Sequence, residues 1–262
     1  MHILLTNDDG IYAPGIASLA SALAPVAEIT VIAPDRERSA TGHAITMHKP
    51  LRVDEVELAV EGGGIKGLAV NGTPSDCVKI AVKALLPQPP DLIISGINRG
   101  PNLGTDILYS GTVSAAIEGI LFDIPSLAVS LASFNPCSFT TAAQVTRIIV
   151  EQIKDRTLPA RTLLNINIPP LDFQELRGIR VTKLGFREYE NIFEERLDPW
   201  GKVYYWMSGD VVDRDEDLED FDTAAVRKGY VSVTPVHFDL TNYALLEEVK
   251  DWKLSLETNK GE

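Results

Sequence analysis

The sequence predicts an α/β protein: a three-layer, Rossmann-like fold with an open, mostly parallel sheet and helices on both faces. Three observations predict it. Short apolar runs stopped by Pro, Gly, Asn or Asp alternate with amphipathic stretches through about residue 170. The first 35 residues read as β-α-β, which demands a parallel pair with a right-handed crossover. No run approaches the ~20 apolar residues of a membrane span.

Ile3-Leu4-Leu5 is a buried strand halted by Asn7-Asp8-Asp9-Gly10. Pro14 to Leu23 places Ile16, Leu19, Ala20 and Leu23 on one helical face, and Glu28 to Ala33 is the second strand, closed by Pro34-Asp35. Thr73-Pro74-Ser75-Asp76 opens a helix, with Thr73 as N-cap, Pro74 at the first helical position and Asp76 at the positive dipole end; it runs to about Leu86. Asp91 to Ser95, Ser126 to Leu131 and Thr162 to Ile168 are further strands; Thr112 to Phe122 and Thr140 to Lys154 are helices. Beyond Pro169-Pro170 the pattern changes. Gly178 to Leu184, Val203 to Met207 and Tyr230 to Thr234 read as strands separated by long loops, and Thr241 to Leu256 as a last helix. Asp213 to Asp222, with seven acids in ten residues, reads as a solvated loop. The expected organisation is one domain over 1–262, with an α/β core at 1–170 and an extension at 171–262.

The chain has 262 residues and a formal net charge of −13. That balance argues against a nucleic-acid polymer or an anionic membrane as partner, since both need a cationic face. Small phosphate ligands remain open if a local device overcomes the repulsion. Cys77 and Cys137 stand far apart without a CxxC, which reads as reduced thiols in a cytoplasmic protein; Met1 to Asn7 does not have the form of a signal peptide.

In a parallel sheet the loops after the strands gather at one edge, where ligands of open α/β folds bind. The loop after the first strand brings Asp8 and Asp9. Two carboxylates about 4 Å apart repel by ~4 kcal/mol at an effective dielectric of about 20; a shared proton, outward splaying or a hard dication such as Mg²⁺, Mn²⁺ or Ca²⁺ relieves that, and a plain Asp-Asp-Gly turn is the competing reading. The loop after the second strand, Pro34 to Thr46, offers Ser39 as a neutral oxygen ligand and Arg36 or Arg38 to a phosphate; His43 reads as a structural hydrogen-bonding residue rather than a general base. Asp35 has the place of a ribose-binding acid, but the first turn lacks GxGxxG. The third loop is the most informative. Asn98 and Asn102 lie four apart among glycines, and Ser110-Gly111-Thr112 precedes a helix, so free backbone N–H groups and a positive dipole end face the cleft: an anion site made without net positive charge. The constellation suits metal-assisted phosphoryl chemistry.

At these residues the sequence resembles the SurE (survival protein E) family of metal-dependent 5′/3′-nucleotidases. The resemblance is carried by Leu5-Thr6-Asn7-Asp8-Asp9-Gly10-Ile11, by Ser39 with Gly42-His43-Ala44-Ile45-Thr46, and by Asn71-Gly72-Thr73-Pro74-Ser75-Asp76. Ser95-Gly96-Ile97-Asn98-Arg99-Gly100-Pro101-Asn102 and Tyr109-Ser110-Gly111-Thr112-Val113 match too, as do Asp222-Thr223 and Gly229-Tyr230-Val231-Ser232-Val233-Thr234-Pro235. It spans nearly the whole chain and is weakest near 50–68 and 186–222. The resemblance implies one Mg²⁺ or Mn²⁺ per subunit held by Asp8, Asp9, Ser39 and Asn98, with Asn102, Ser110, Gly111 and Thr112 around the phosphate. It also implies hydrolysis of nucleoside 5′-monophosphates, with 3′-monophosphates and short polyphosphate as further substrates, by a homodimer or homotetramer that exchanges C-terminal segments. On this reading a metal-bound water attacks phosphorus and Asp9 accepts its proton; a phosphoaspartate on Asp8 is the rival route, and a non-catalytic nucleotide-sensing module the rival function.

Overall fold

A computed structural model describes residues 1–60, 63–135, 138–156, 159, 161–190, 192–213 and 218–254. The chain runs β1 (His2–Thr6), α1 (Pro14–Leu23), β2 (Glu28–Pro34), β3 (Val53–Val60), β4 (Gly63–Val70), α2 (Pro74–Ile80), β5 (Leu92–Arg99), α3 (Gly111–Leu121) and β6 (Ser126–Leu131). It continues through α4 (Thr140–Ile153), β7 (Thr162–Ile168), β8 (Ile179–Val181), β9 (Arg187–Glu190), β10 (Phe193–Leu197), β11 (Val203–Met207), β12 (Asp210–Asp213), α5 (Asp222–Arg227), β13 (Val231–His237) and α6 (Tyr243–Asp251).

Nine strands form one sheet in the order β3-β4-β2-β1-β5-β6-β7-β13-β8. The pairs β1–β2, β1–β5, β5–β6, β6–β7, β2–β4 and β8–β13 are parallel, whereas β3–β4 and β7–β13 are antiparallel. The expected mostly parallel α/β sheet is thus what the chain forms. Its strands alternate their loyalties along the period of two. Ile3 and Leu5 join Ile16, Leu19 and Leu23 of α1 and Val145 and Ile149 of α4 on one face. Leu4 turns the other way, to Ile32, Ile93, Val78 of α2 and Ala115 of α3. Helices therefore cover both faces, and the central strands are buried throughout.

Local signals hold where they are strong. Thr73 caps α2: its hydroxyl accepts from Asp76 N at 3.1 Å while the Asp76 carboxylate accepts from Thr73 N at 2.9 Å, a reciprocal capping box with Pro74 just inside. After Ile80 the helix relaxes into a single π turn, Ala81–Leu85, and stops before Pro87.

The differences lie where the pattern is thin. The β3–β4 hairpin, β9, β10, β12 and the short α5 have no counterpart in the sequence reading. The last helix is shorter than expected, ending at Asp251 instead of Leu256, and residues 255–262 lie outside the described residues. So do Cys137 and residues 214–217 of the acidic run; Leu218 to Asp220 are exposed, and Cys77 is a buried free thiol. The C-terminal residues add β8 and β13 to the main sheet, while β9–β12 and β10–β11 are separate two-stranded ribbons. Among the described residues no helix is long and apolar enough to cross a membrane.

Candidate functional site

Strand order reverses at β1, whose neighbours β2 and β5 continue the chain in opposite directions across the sheet. The carboxyl ends of β1 and β5 thus frame the crevice, and there the sequence changes character from apolar to polar. A cavity of roughly 1300 Å³ opens at that edge. Asp8, Asp9, Ser39, Asn98, Asn102 and Ser110 all line it. Gly111 and Thr112 stand behind Asp8 instead.

Asp8 is nearly fully buried. Thr112 Oγ1 donates to its Oδ1 at 2.5 Å, and the main-chain oxygen of Asp8 accepts from Arg38 N at 2.7 Å. A Cβ on Gly111 would lie 2.8 Å from the Asp8 Cβ and 2.9 Å from Oδ2, so only glycine lets α3 begin against this carboxylate. Desolvation pushes the Asp8 carboxyl up to about 6; the neighbouring Asp9 charge adds to it, and the Thr112 hydrogen bond works against it. Asp9 is also raised, first by burial and then by Glu37, with the Arg99 main-chain N–H (3.1 Å from Oδ2) opposing.

Asn98 reaches the cavity because β5 bulges. Ser95 pairs with Ala128 and Asn98 with Ser130, three residues spanning two on β6. Its Nδ2 donates to Gly100 O at 2.8 Å, which leaves the amide oxygen for another partner. Ser39 is exposed at the rim, its hydroxyl donating to Glu37 Oε1 at 2.8 Å; the oxygen lone pairs stay open to a cation.

Ser110 caps α3, its Oγ accepting from Val113 N at 3.1 Å, so its hydroxyl proton and the first amides of the helix have no intrahelical partner. Asn102 is held from three sides. Its N–H donates to Asn167 Oδ1 at 2.8 Å, and its carbonyl accepts from Asn167 Nδ2 at 2.9 Å and Asn165 Nδ2 at 2.8 Å. Its own Nδ2 donates to Ser130 Oγ at 2.8 Å. Asn165, Asn167 and Ser130 are fully buried. The sequence reading missed them, although two asparagines at i and i+2 inside the apolar strand Thr162–Ile168 were the available signal.

Of the two loop arginines, Arg36 lines the cavity, whereas Arg38 is tied to Asp35 Oδ1 at 3.3 Å and Asn71 O at 2.9 Å. His43 has the structural place expected of it: Nε2 lies 2.9 Å from Glu118 Oε2, and Lys79 Nζ lies 2.8 Å from Oε1. Burial works to raise Glu118, but the hydrogen bonds from His43 and Lys79 prevail and hold it below the usual carboxylate value.

The donor set fits a hard dication. Asp8 is a buried carboxylate with no cationic side chain paired to it among the described residues, beside a second carboxylate, an amide oxygen and a hydroxyl. Among the described residues no group of three or more His, Cys, Asp or Glu is placed to hold a metal; the remaining ligands would be neutral oxygens, as Mg²⁺ and Mn²⁺ accept.

Comparison with known proteins agrees with this geometry. Residues 3–191 match the model of the family described as Survival protein SurE. A protein of Heliobacterium modesticaldum named 5′-nucleotidase SurE is 56% identical over 252 residues, covering 96% of this chain and 92% of the relative. One of the same name from Pelotomaculum thermopropionicum is 58% identical over 250 residues, covering 95% and 94%. The crystal structure of the SurE protein from Aquifex aeolicus superposes with a TM-score of 0.84 at 40% identity, covering 97% of this chain and all of that one.

Proposed function

The chain belongs to the SurE family, and from that premise we propose that it is a 5′-nucleotidase, hydrolysing nucleoside 5′-monophosphates to nucleoside and phosphate with a divalent cation. The observation that carries this reading is the buried Asp8 carboxylate set against the N-terminus of α3 in one cavity with Asp9, Asn98 and Asn102. A pure anion sensor gains nothing from two acids at its floor.

Asp8, Asp9, Ser39 and Asn98 would hold one Mg²⁺ or Mn²⁺. When bound, the cation polarises the phosphate oxygens and acidifies water at neutral pH. The chain does the rest. The Ser110 hydroxyl and the Asn102 side chain grip the phosphate oxygens as charge develops on them, and the positive end of α3, at Gly111 and Thr112, adds its field from behind Asp8. Asp9, less enclosed than Asp8, accepts the proton of the attacking water. Asp8 is locked by Thr112 and backed against Gly111, which suits a ligand better than a nucleophile. Nucleoside 3′-monophosphates and short polyphosphate present the same terminal phosphate and fall within the proposal.

Phosphate release from AMP is the direct test. We expect turnover with Mg²⁺, Mn²⁺ or Co²⁺ that EDTA abolishes and excess cation restores; no release with any of the three sinks the reading.

The extension supports a second part of the proposal, a homodimer or homotetramer in the cytoplasm with exchanged C-terminal segments. Trp200 is 84% exposed, and Tyr205, Trp206 and Trp252 are all more than half exposed, an apolar surface a lone subunit leaves in water. Sedimentation at micromolar concentration should give twice or four times the subunit mass; a folded monomer there refutes it.

A further inference from the structure

Beyond the reacting phosphate, the far wall of the cavity comes from chain remote in sequence. Tyr189 of β9, Ile192 just before β10, and Met207 at the end of β11 line it, facing the same space as Tyr109 and Phe134. Aromatic rings, an isoleucine and a thioether make a surface suited to a planar base.

β9 is not part of the nine-stranded sheet. Among the described residues it pairs only with β12, Arg187 opposite Asp213 and Glu190 opposite Asp210. A two-stranded ribbon of this size is marginal by itself, so its place must come from an anchor. Arg187 is that anchor. Its side chain is 10% exposed, with Nε 2.8 Å from Asp213 Oδ1 across the ribbon and Nη1 2.9 Å from Asp106 Oδ2. Asp106 belongs to the 3₁₀ turn Gly104–Leu108 that leads directly into Ser110 and α3. The main chain of Arg187 joins in: its N–H donates to Thr105 Oγ1 at 3.3 Å, and its carbonyl accepts from that hydroxyl at 3.0 Å. Burial works against the guanidinium charge, but Asp213 and Asp106 outweigh it and hold the group above its ordinary value. Burial first, and then the nearby Asp106 carboxylate, push the Tyr189 hydroxyl up to about 12. One forked cation thus ties the wall to the turn ahead of the phosphate cradle, a task a lysine point charge cannot copy.

We infer that Arg187 is a positioning residue that holds the β9–β12 ribbon at the cavity rim, and so sets affinity for the nucleoside half of the substrate and not for its phosphate. The inference rests on the 5′-nucleotidase reading and deepens it by assigning the leaving group its own wall.

The test is inhibition kinetics on the full-length protein with AMP as substrate, and with adenosine and inorganic phosphate as separate probes. Arg187→Met should raise KM for AMP and the inhibition constant of adenosine by about tenfold, since a misplaced wall loses its contacts. The inhibition constant of phosphate and kcat should stay within about twofold of the parent. Asp213→Asn, which keeps shape and fold, should show the same split at about threefold, and Arg187→Lys should recover only part of the loss. Phosphate and adenosine weakening in step would mean that the latch merely supports the whole turn, and would overturn the inference; so would an unchanged adenosine constant in both variants. A parent protein that releases no phosphate refutes the nucleotidase reading itself, which is a separate result.

Discussion

Asp8→Asn is expected to lower kcat/KM for nucleoside monophosphates by roughly a thousandfold or more, because a charged cation ligand and the alignment it gives the phosphate are lost together. The same change should leave the fold intact. Asn keeps the shape beside Gly111 and an oxygen for the Thr112 hydroxyl, and it removes a buried charge that desolvation disfavours. Without cation, the variant should therefore unfold at a temperature equal to or above that of the parent. With Mg²⁺ or Mn²⁺ at about a hundred times its dissociation constant, the parent should gain about 2.7 kcal/mol while the variant gains nothing. Calorimetry with and without the metal checks both halves. A variant that keeps its activity, or keeps the metal-induced rise in melting temperature, would remove Asp8 from the site.

The second large effect is expected at a residue that does not line the cavity. Asn167→Leu deletes the side chain that closes on both main-chain polar groups of Asn102. The Asn102 carbonyl keeps Asn165, but its N–H is left buried without an acceptor, at a cost of about 2–4 kcal/mol in stability. Asn102 lines the cavity, so a shift of about 1 Å should also cost on the order of a hundredfold in kcat/KM. Asn167→Asp retains the acceptor but buries a carboxyl against the Asn102 carbonyl, so at neutral pH it should be no more stable than Asn167→Leu, and it should recover in acid, where the protonated carboxyl donates. Chemical denaturation together with AMP turnover measures both, and an Asn167→Leu protein with parental stability would show that the clamp is incidental.

The core strands were legible because burial on both faces writes itself as apolar runs: Ile3-Leu4-Leu5, Leu92-Ile93-Ile94 and Leu127-Ala128-Val129 need no partner to be seen. The Thr73 cap was legible for a local reason, since both of its hydrogen bonds lie within four residues. The two carboxylates and the Ser110 turn were visible as chemistry out of place at strand ends. The β3–β4 hairpin was not, because exposed Asp54, Glu55 and Glu57 break up β3 and Gly63, Gly64 and Gly67 break up β4. β9, β10 and β12 are polar or exposed along most of their length, so nothing local distinguishes them from loop. Asn165, Asn167, Arg187 and Asp222 were hidden for another reason. Their meaning lies in partners far along the chain: Asp222 accepts from Gly104 N and Gly185 N, both at 2.8 Å, and no spacing rule anticipates a carboxylate that fastens two distant loops.

The place of β13 between β7 and β8 has a consequence for how the molecule comes into being. On the ribosome, β7 with its two asparagines is complete long before Val231 is translated, so its outer edge waits as a row of unpaired peptide groups, an adhesive template for any strand that meets it. The nascent chain reaches its finished form only when the late strand arrives antiparallel and seals that edge. Chains interrupted in the extension should thus be clients for chaperones and proteases rather than feeble versions of the mature protein.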